Sequence, residues 1–536
     1  MPVLPLSQFF VTLLLLLQVT TTSSLPSIYR SLNNAVRVSI PIVPSGPSPA
    51  MTVSVIAHGG DATGVLDSSA ALAAALSAAI SLASSNSLPS QIGSGGVAVD
   101  LGGGTFRCSQ PLLVRGGMLG VVMRGGTLVA DVSIFPKDGY LIDVESVSDF
   151  SLQDVTLDSQ HVGGCLRLDT VVQFTVRDVF FLHYATEGIF GSDQGGASHE
   201  LMVTQSFFAE FMWGEVGFDN IMAQSGTAIY LSAQFYDSNF YDSIIRCTRV
   251  GVVNLAGANL WHGVHIYATC NKDPSGGNVS VGFINLAYGQ TRISSCYFDD
   301  SPFIQIGTHE LTLKDSLFYG FSGLIFAPVG TATPAAGIFV SGNLFTSTPY
   351  SGSSPTVHYD NVNGTFATSA LASIVVADNQ FSNRSSERAT RVTATIIVAS
   401  EGNATAATAR LDLRSRLLFS SPNAYPFHWR NAASHALARI ADMMMMMTSR
   451  IKTETPPRPA DVFGGAFATF QISAALLTVN GVPAQPSIMS SGYSLSPTLF
   501  ATETPGIIDV AVGASFVNYT ALVSLSLDAA LPTGAV

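Results

Sequence analysis

A seven-residue pattern of apolar and polar positions recurs between Ser151 and Phe381. Each copy holds an apolar residue, a variable residue, a small polar residue that turns the chain, and a second apolar pair that usually ends in a ring. We interpret each copy as two short strands that meet at a tight corner. Successive copies start roughly 20 to 37 residues apart, which is in or near the range of solenoid repeats. The copies are SLQDVTL, TVRDVFF, MVTQSFF, NFYDSII, RISSCYF, TLKDSLF, FVSGNLF and VVADNQF, with a looser copy, NLWHGVH, between the fourth and the fifth.

A second pattern, an apolar–polar–apolar strand, lies between these copies. Alternation with a period of two predicts that one set of its residues points inward and the other outward. The residues predicted to point inward are Leu166, Ile229, Val253, Ile284 and Ile304. Those predicted to point outward are Arg167, Tyr230, Asn254, Asn285 and Gln305. With about three short strands in each turn, the patterns together predict an all-β fold, a right-handed parallel β-helix, whose outward row forms the floor of a long groove.

The two ends of the chain carry different patterns. Asp67, Ser68 and Ser69 precede a run of Ala and Leu, which predicts a capped helix lying across the open N-terminal end of the solenoid. Beyond Phe381 the repeat is lost, and alternation at 391–399 and 409–419 predicts a β-rich C-terminal module. A short helix is also predicted at 434–447. We therefore divide the chain into a signal peptide (1–24), a linker (25–50), the β-helix domain (51–383) and the β-rich C-terminal region (384–536).

The first residues predict export from the cell. An apolar run from Phe9 to Leu17 is followed by small residues through Ser24, which is typical of a signal peptide although a basic n-region is missing. This run is too short to span a bilayer, and no later stretch predicts a membrane helix. We therefore expect a secreted protein. Five glycosylation sequons agree with that route, and they begin at Asn278, Asn363, Asn383, Asn403 and Asn518.

Five cysteines leave an odd number for pairing. Cys270 is a candidate to bridge to Cys247 or to Cys296, and small buried core thiols are the alternative. The sequence contains no C-x-x-C pair, so it does not predict a zinc site, and it predicts no metal or other cofactor.

Charge narrows the choice of partner. The net charge is −12 and charged residues make up only 11% of the chain. Because no basic stripe is present, the sequence predicts no nucleic-acid partner, and a polyanionic ligand would require a local basic cluster. We expect the protein to be a monomer.

The stretch from His58 through Phe318 resembles the pectin lyase-like superfamily, specifically the quartet-type plant polygalacturonases. The phrases that carry the resemblance are VDLGGGTF (99–106), LDSQHVGG (157–164), GTAIYL (226–231), GANLWHGVHIY (257–267) and TRISSCYFDD (291–300). The resemblance implies a β-helix protein acting on galacturonan in a cell wall. Ordinary polygalacturonases carry an N-T-D, a paired Asp-Asp, a G-H-G and an R-I-K. This chain has only partial echoes in the wrong order, at Asp299-Asp300 and Arg292-Ile293, so that mechanism is not carried over.

Three functions are compatible with these observations. The first is a glycoside hydrolase that cleaves polygalacturonan with two carboxylates in the groove, spaced about 6.5 to 9.5 Å apart for inversion. The second is a pectate or rhamnogalacturonan lyase, which would need a base and a calcium ion. The third is a non-catalytic wall-binding β-helix that has kept the fold without the chemistry.

The predicted catalytic side chains are Asp158, Asp193, Asp237 and His265. Asp193 and Asp237 leave consecutive groove strands, Asp158 lies in a phrase that carries the resemblance, and His265 is a candidate proton donor. A satisfied core histidine is the alternative for His265. By contrast, we assign a structural role to the aspartates at the corner of the repeat, because Asp tolerates a left-handed backbone there. These are Asp154, Asp178, Asp242 and Asp315.

The predicted substrate-binding side chains are His161, Arg167, His199, Tyr230 and Arg292. A guanidinium holds a uronate carboxylate with a fork of two hydrogen bonds, although surface salt bridging is the alternative for both arginines. Tyr230 is placed to stack on a sugar ring, with packing on the sheet as the alternative.

Overall fold

In the computed structural model, residues 51–86, 96–192, 194–210, 226–246, 248–267, 281–287, 289–306, 310–320, 322–328, 330–332, 337–346, 357–359, 364–366, 374–382, 391–399, 406–412, 469–479, 482–483, 495–501, 507–514 and 519–528 are described. Between Met51 and Ser382 the strands pair in parallel with the equivalent strand one turn later. They form three stacked arrays, called sheets A, B and C. The predicted fold class, an all-β parallel β-helix, is confirmed.

The longest strands run through more than one sheet, and they are β5 (Leu112–Ala130), β6 (Tyr140–Asp158) and β7 (Gly164–Arg177). Sheet A continues with β9 (Glu187–Ser192), β13 (Thr227–Leu231), β17 (Val250–Asn254), β20 (Val281–Asn285), β23 (Phe303–Gln305), β26 (Leu324–Phe326) and β30 (Val357–Tyr359). Sheet B contains β1 (Met51–Ser54), β3 (Val97–Asp100), β11 (Met202–Thr204), β15 (Asn239–Tyr241), β18 (Asn259–His262), β21 (Thr291–Ser294), β24 (Leu311–Lys314), β28 (Ile338–Ser341) and β32 (Ile374–Val376). Sheet C contains β2 (Thr63–Asp67), β4 (Thr105–Cys108), β8 (Phe180–Leu182), β12 (Phe207–Ala209), β16 (Ile244–Arg246), β19 (His265–Tyr267), β22 (Tyr297–Asp299), β25 (Leu317–Tyr319), β29 (Leu344–Thr346) and β33 (Gln380–Ser382). The short strands β10 (Ser198–His199), β14 (Phe235–Tyr236), β27 (Gly330–Ala332) and β31 (Gly364–Phe366) lie at corners and in loops.

The C-terminal strands pair antiparallel, as a β-rich module requires. One sheet has the order β34 (Arg391–Ala399), β40 (Tyr519–Asp528), β36 (Thr469–Val479) and β37 (Val482–Pro483). The other has the order β35 (Ala406–Asp412), β39 (Ile507–Ala514) and β38 (Leu495–Ala501). The strand predicted at 391–399 is observed with those bounds, and the one predicted at 409–419 is described over 406–412. The boundaries of the predicted domains stay predictions.

The copies of the seven-residue pattern stack in register. Val176 pairs with Val203 in sheet B, and Phe181 pairs with Phe208 in sheet C. The rings that end the copies therefore lie above one another, as Phe181 and Phe208 do with centroids 4.5 Å apart and planes nearly parallel. Phe318 and Phe345 repeat the arrangement at 4.6 Å. Stacked rings in a close-packed core hold successive turns in register.

The corners between sheets B and C also match the sequence-based interpretation. Asp154, Asp178, Asp242 and Asp315 have φ angles of 54°, 54°, 46° and 53°, in the left-handed region. Asp and Asn tolerate this conformation better than most residues do, because a short polar side chain can hydrogen-bond to the local backbone. These carboxylates hold turns rather than line a groove.

The predicted outward row is wrong in the later turns of sheet A. Tyr230 pairs with Val253, and Val253 pairs with Ile284, so the outward column that begins with Arg167 continues through apolar residues. Asn254, Asn285 and Gln305 point inward and are at most 1% exposed. A slip of one residue exchanges the two faces of a strand, and both faces are apolar here.

The buried amides satisfy one another inside the helix. The Asn254 Nδ2 donates to Asn285 at 3.0 Å, and the Asn285 Nδ2 donates to Gln305 at 2.9 Å. The outward column in these turns is covered as well, because Val253, Ile284, Ile304 and Ile325 are at most 1% exposed. The polar floor predicted for the whole solenoid is therefore confined to its N-terminal turns.

Helix α1 (Ser69–Asn86) follows the predicted capping residues. The Ser68 carbonyl accepts the first helical hydrogen bond, from Leu72, and the Asp67 carboxylate accepts one from the Ser69 backbone N–H. Leu72, Ala75, Leu76 and Ala79 form a buried stripe in the core of the first turns. A 3₁₀ turn (Ile56–His58) precedes the helix. Among the described residues, no helix has both the length and the apolarity to cross a membrane.

Three of the cysteines are buried free thiols, Cys108, Cys165 and Cys296. Burial raises the pKa of the Cys296 thiol to about 12. Cys296 therefore follows the core-thiol alternative. Cys247 and Cys270, the signal peptide, the linker and the helix predicted at 434–447 lie outside the described residues.

Candidate active site

A cleft of about 320 Å³ lies at the N-terminal turns of sheet A. The described residues that line it are Asp138, Tyr140, Thr186, Glu187, Phe190 and Tyr230. Two carboxyl groups and three aromatic rings thus share one concave surface. This is the composition of a binding site in which apolar side chains supply area and a few polar groups fix orientation.

The aromatic side chains form a continuous wall. The rings of Tyr140 and Phe190 are nearly parallel with centroids 5.9 Å apart, and the rings of Phe190 and Tyr230 are tilted at 5.4 Å. The parallel register of sheet A produces this wall, because Phe190 and Tyr230 are paired neighbours. Rings that are apolar on their faces and polar at the hydroxyl suit a ligand with both kinds of surface, such as a sugar.

Glu187 is the buried acid of the cleft, and it is only 3% exposed. The Tyr140 hydroxyl donates a hydrogen bond to Glu187 Oε2 at 2.5 Å. Gly164 lies between these two residues, since Tyr140 pairs with Gly164 on the neighbouring strand. A side chain at Gly164 would overlap the Tyr140 ring and would lie 2.9 Å from the Glu187 carbonyl oxygen. The glycine is therefore required for the ring to reach the carboxylate.

We expect Gly164→Ala to lower the free energy of unfolding by about 1 to 3 kcal/mol, the usual cost of overpacking. The Tyr140 ring must move, so the hydrogen bond to Glu187 is lost as well. Urea denaturation of Gly164→Ala, Tyr140→Ala and the double variant measures the effect. With the ring removed, most of the cost of the added methyl should disappear. Equal costs of the alanine in both backgrounds would contradict this account.

Arg167 lies beside the cleft on the outer face of sheet A, next to Phe190 in the register. Its Nη1 donates to Asp143 at 3.0 Å and its Nη2 donates to Asp169 at 2.9 Å. Asp169 is 3% exposed and also accepts from the Gly195 backbone N–H and from Ser192. Both ends of the guanidinium fork thus already bind carboxylates of the protein.

A corner between sheets C and A brings Asp158, His161 and His183 together. Asp158 ends β6, and His183 follows β8, which pairs with the end of β6. The Asp158 Oδ1 lies 2.7 Å from His183 Nδ1, and the two imidazole rings are 5.0 Å apart. Because a carboxylate only accepts, this contact places a proton on Nδ1 of His183. The His161 backbone N–H donates to the His183 carbonyl at 2.6 Å.

Asp237 and His199 form an exposed pair at the opposite end of the sheet A strands. His199 Nδ1 lies 3.4 Å from Asp237 Oδ2, and the two side chains are 40% and 58% exposed. Asp237 has a left-handed φ of 55°. The pair lies where the chain leaves sheet A, as predicted from the sequence. Asp193, the predicted companion of Asp237, lies outside the described residues.

His265 and Arg292 lie on other sheets. His265 belongs to sheet C, where its ring stacks on Tyr297 at 4.4 Å and its Nε2 is 3.9 Å from Asp299 Oδ2. Arg292 is exposed on sheet B. The structure therefore brings Arg167 and Tyr230 to one face and Asp158 and His161 to one corner. His265 and Arg292 are not on that face.

Sequence reasoning missed three side chains at or near the cleft, Asp138, Tyr140 and His183, and it counted Glu187 only among several carboxylates that enter the groove strands. Glu187 is identifiable from the sequence as an acid entering a groove strand, but nothing in the sequence separates it from other loop acids. His183 lies two residues after a copy of the repeat and one residue beyond Leu182, the register partner of Asp158. This position in the repeat is the signal that could have identified it.

One more acid is buried behind the corner. Glu210 is fully buried, and burial raises its pKa to about 8. The Arg249 backbone N–H donates to its Oε2 at 3.1 Å, while its Oε1 has no hydrogen-bond partner. Tyr184 and Thr248 also face it. Burial therefore favours the uncharged form of this carboxyl.

Comparison with known proteins gives one curated relative. The chain is 28% identical over 325 residues to Polygalacturonase QRT3 of Arabidopsis thaliana, an alignment that covers 58% of this chain. The chain spans 64% of the length of that relative. No family model matches the sequence. The resemblance to the quartet-type polygalacturonases of the pectin lyase-like superfamily is confirmed by this match.

Several solved structures are similar in fold. A protein of Geobacillus virus E2, ORF18, matches 67% of this chain and 70% of its own with a TM-score of 0.42 and 13% identity. PfbA, a surface adhesin of Streptococcus pneumoniae, matches 62% of this chain and 92% of its own with a TM-score of 0.31 and 12% identity. The AlgE6 A-module of the Azotobacter vinelandii mannuronan C-5 epimerase matches 62% of this chain and 95% of its own with a TM-score of 0.32 and 12% identity.

Proposed function

We propose that this relative of the quartet-type polygalacturonases is a secreted, pectin-active glycoside hydrolase that cleaves galacturonan in a cell wall. The observation that carries the proposal is the cleft on sheet A, where an aromatic wall lies beside two carboxyl groups. The similarity to a polygalacturonase supports the substrate class. The proposed partner is thus a polysaccharide, bound along the N-terminal turns.

Glu187 and Asp138 are the proposed catalytic pair. Hydrolysis with inversion needs one carboxyl group at the leaving oxygen and another that activates water on the opposite side of the sugar. Glu187 lies in the wall of the cleft and is oriented by Tyr140, which suits the proton donor. Asp138 is exposed at the rim, where water reaches it, which suits the base.

In this proposal, the residues predicted from the sequence position the corner beside the cleft or contact the sugar chain. Asp158 holds His183 and accepts from the Gln160 backbone N–H, so it fixes the corner that leads into the cleft. Phe190 and Tyr230 supply the surface on which a sugar ring stacks. Asp237 with His199 lies at the far end of the same strands, where a longer chain would leave the cleft.

The purified protein is expected to release reducing ends from homogalacturonan without forming the unsaturated uronates that absorb in the ultraviolet. A hydrolase adds water across the bond, whereas a lyase eliminates and leaves a double bond. Following both signals on the same sample, with added calcium and with chelator, distinguishes them. Absorbance that requires calcium would replace this proposal with the lyase. Binding without either signal, across pectins of different esterification, would replace it with a wall-binding protein.

A further inference from the structure

The outer face of sheet B carries exposed basic side chains in its later turns. They are His262, Arg292 and Lys314, from the successively paired strands β18, β21 and β24. His262 pairs with Ser294, which pairs with Lys314, and Arg292 lies two residues before Ser294 on the same side of its strand. These strands and the neighbouring β15 and β28 contain no Asp or Glu, although the net charge of the whole chain is −12. We call this surface the basic face.

The protein does not neutralise the cations of the basic face. Within the described part of the chain, neither Arg292 nor Lys314 forms a salt bridge or a side-chain hydrogen bond. In earlier turns of the same sheet the cations have acids beside them. Arg124 lies 3.7 Å from Asp100, and Arg177 lies 3.7 Å from the aspartate that follows it. Positive charge is therefore available to a ligand in the later turns.

Acidic groups border the basic face, and each is held at an edge. On the side of sheet A, the Glu310 carboxylate accepts a hydrogen bond from Gln290. At the corner between sheets B and C, the carboxylates of Asp242 and Asp315 lie over the corner glycines of the next turn. Among the described residues, none of these acids forms a salt bridge with a cation of the basic face.

Apolar and hydroxyl-bearing side chains complete the surface. Phe339 is 48% exposed and pairs with Thr312 on the outer side of the sheet. The rings of Tyr241 and His262 meet edge to face with centroids 6.3 Å apart, and His262 Nδ1 lies 2.9 Å from the Ser294 hydroxyl. A sugar presents an apolar ring face and hydroxyl groups, which suit such side chains. A uronic acid adds a carboxylate, which suits the cations.

We propose that the basic face binds an anionic polysaccharide at a second site, separate from the cleft on sheet A. A uronic acid polymer carries a carboxylate on each sugar, and three successive turns, about 4.8 Å apart, each supply one basic side chain. Arg292 can hold a carboxylate through two hydrogen bonds, and Lys314 acts as a point charge. The choice of galacturonan as the polymer rests on the proposed function. A second contact keeps the protein on the polymer while the cleft exchanges its own segment.

Affinity electrophoresis in native gels with and without polygalacturonate measures binding independently of catalysis. The double variant Arg292→Gln/Lys314→Gln is expected to raise the apparent Kd about tenfold, since two exposed ion pairs to the polymer are lost. Arg124→Gln/Arg177→Gln is the matched control, because it removes the same charge from the same sheet where acids already offset it. It is expected to keep the original Kd. Circular dichroism checks that both variants are folded.

Equal Kd values for the two double variants would overturn the inference and leave the hydrolase proposal standing, because that proposal rests on the cleft. Retardation by polyglutamate that depends equally on Arg292 and Lys314 would also overturn it, since the surface would then recognise acidic peptides as well. If polygalacturonate binds through these residues and is not cleaved, the inference stands and the proposed hydrolase activity fails.

Discussion

Glu187→Gln is expected to lower kcat/KM on homogalacturonan by about a thousandfold, within the range that general acid catalysis contributes. That loss corresponds to about 4 kcal/mol of transition-state stabilisation. Glutamine keeps the shape of the side chain and an oxygen that can accept from Tyr140, but it cannot give up a proton to the leaving oxygen. The fold should be retained, as circular dichroism and urea denaturation would show. The measurement is steady-state reducing-end release.

Two other substitutions control for this result. Glu145→Gln removes a partly exposed acid from the same sheet, where it pairs with Arg115 at 3.0 Å, and it is expected to leave kcat nearly unchanged. Tyr140→Phe removes only the donor to Glu187 and should cost less than Glu187→Gln. If Glu187→Gln keeps more than a tenth of the activity while Asp158→Asn or Asp237→Asn abolishes it, the catalytic carboxylates are the ones predicted from sequence.

Stability is expected to fall as the pH rises from about 4.5 to about 8, through ionisation of Glu210. Burial raises the pKa of this carboxyl in the folded protein from 4.5 to about 8. Between these two pKa values the folded state holds a proton that the unfolded state has released. The contribution of Glu210 to the free energy of unfolding is therefore fully present below pH 4.5 and is lost as the pH rises to about 8. The slope approaches about 1.4 kcal/mol per pH unit within this window.

Glu210→Gln is expected to remove that slope, because glutamine is uncharged at every pH. Urea denaturation at intervals from pH 4 to pH 9 measures it, and the difference between the variant and the original protein isolates Glu210 from other titrating groups. Glu200→Gln, a change at an acid that is exposed on the surface, serves as the control and should keep the original slope. An unchanged slope in Glu210→Gln would contradict the assignment.

The repeat made the fold predictable because its features are local. A small polar residue at a tight corner, with apolar residues on both sides, specifies two short strands wherever it occurs. Asp154 and Phe181 illustrate this, since the first has the left-handed backbone that the corner needs and the second stacks on the ring of the next copy. The cap of helix α1 is local in the same sense.

Alternation failed where both faces of a strand are apolar. In β17 and β20 the residues on each side of the sheet are buried, so Val253 and Asn254 exchange the faces that the pattern assigned to them. Only the pairing of neighbouring turns decides which of these two residues points into the core. Burying Asn254 and Asn285 together lets each amide satisfy the other, which a single strand cannot reveal.

The sequence by itself determined a parallel β-helix that resembles the quartet-type polygalacturonases, and it predicted Arg167, Tyr230, Asp158 and His161 among the site residues. These conclusions follow from periodicity and from phrases that lie within one turn. Only the tertiary structure decided that the Tyr140 hydroxyl reaches Glu187 across Gly164 and that Asp143 and Asp169 both accept hydrogen bonds from the Arg167 guanidinium. The contacts of Tyr140 with Glu187 and of Asp143 with Arg167 join residues one or two turns apart, 47 and 24 positions along the chain, whereas Asp169 lies on the same strand as Arg167. Their geometry depends on loop lengths that differ from turn to turn, and the sequence pattern does not encode it.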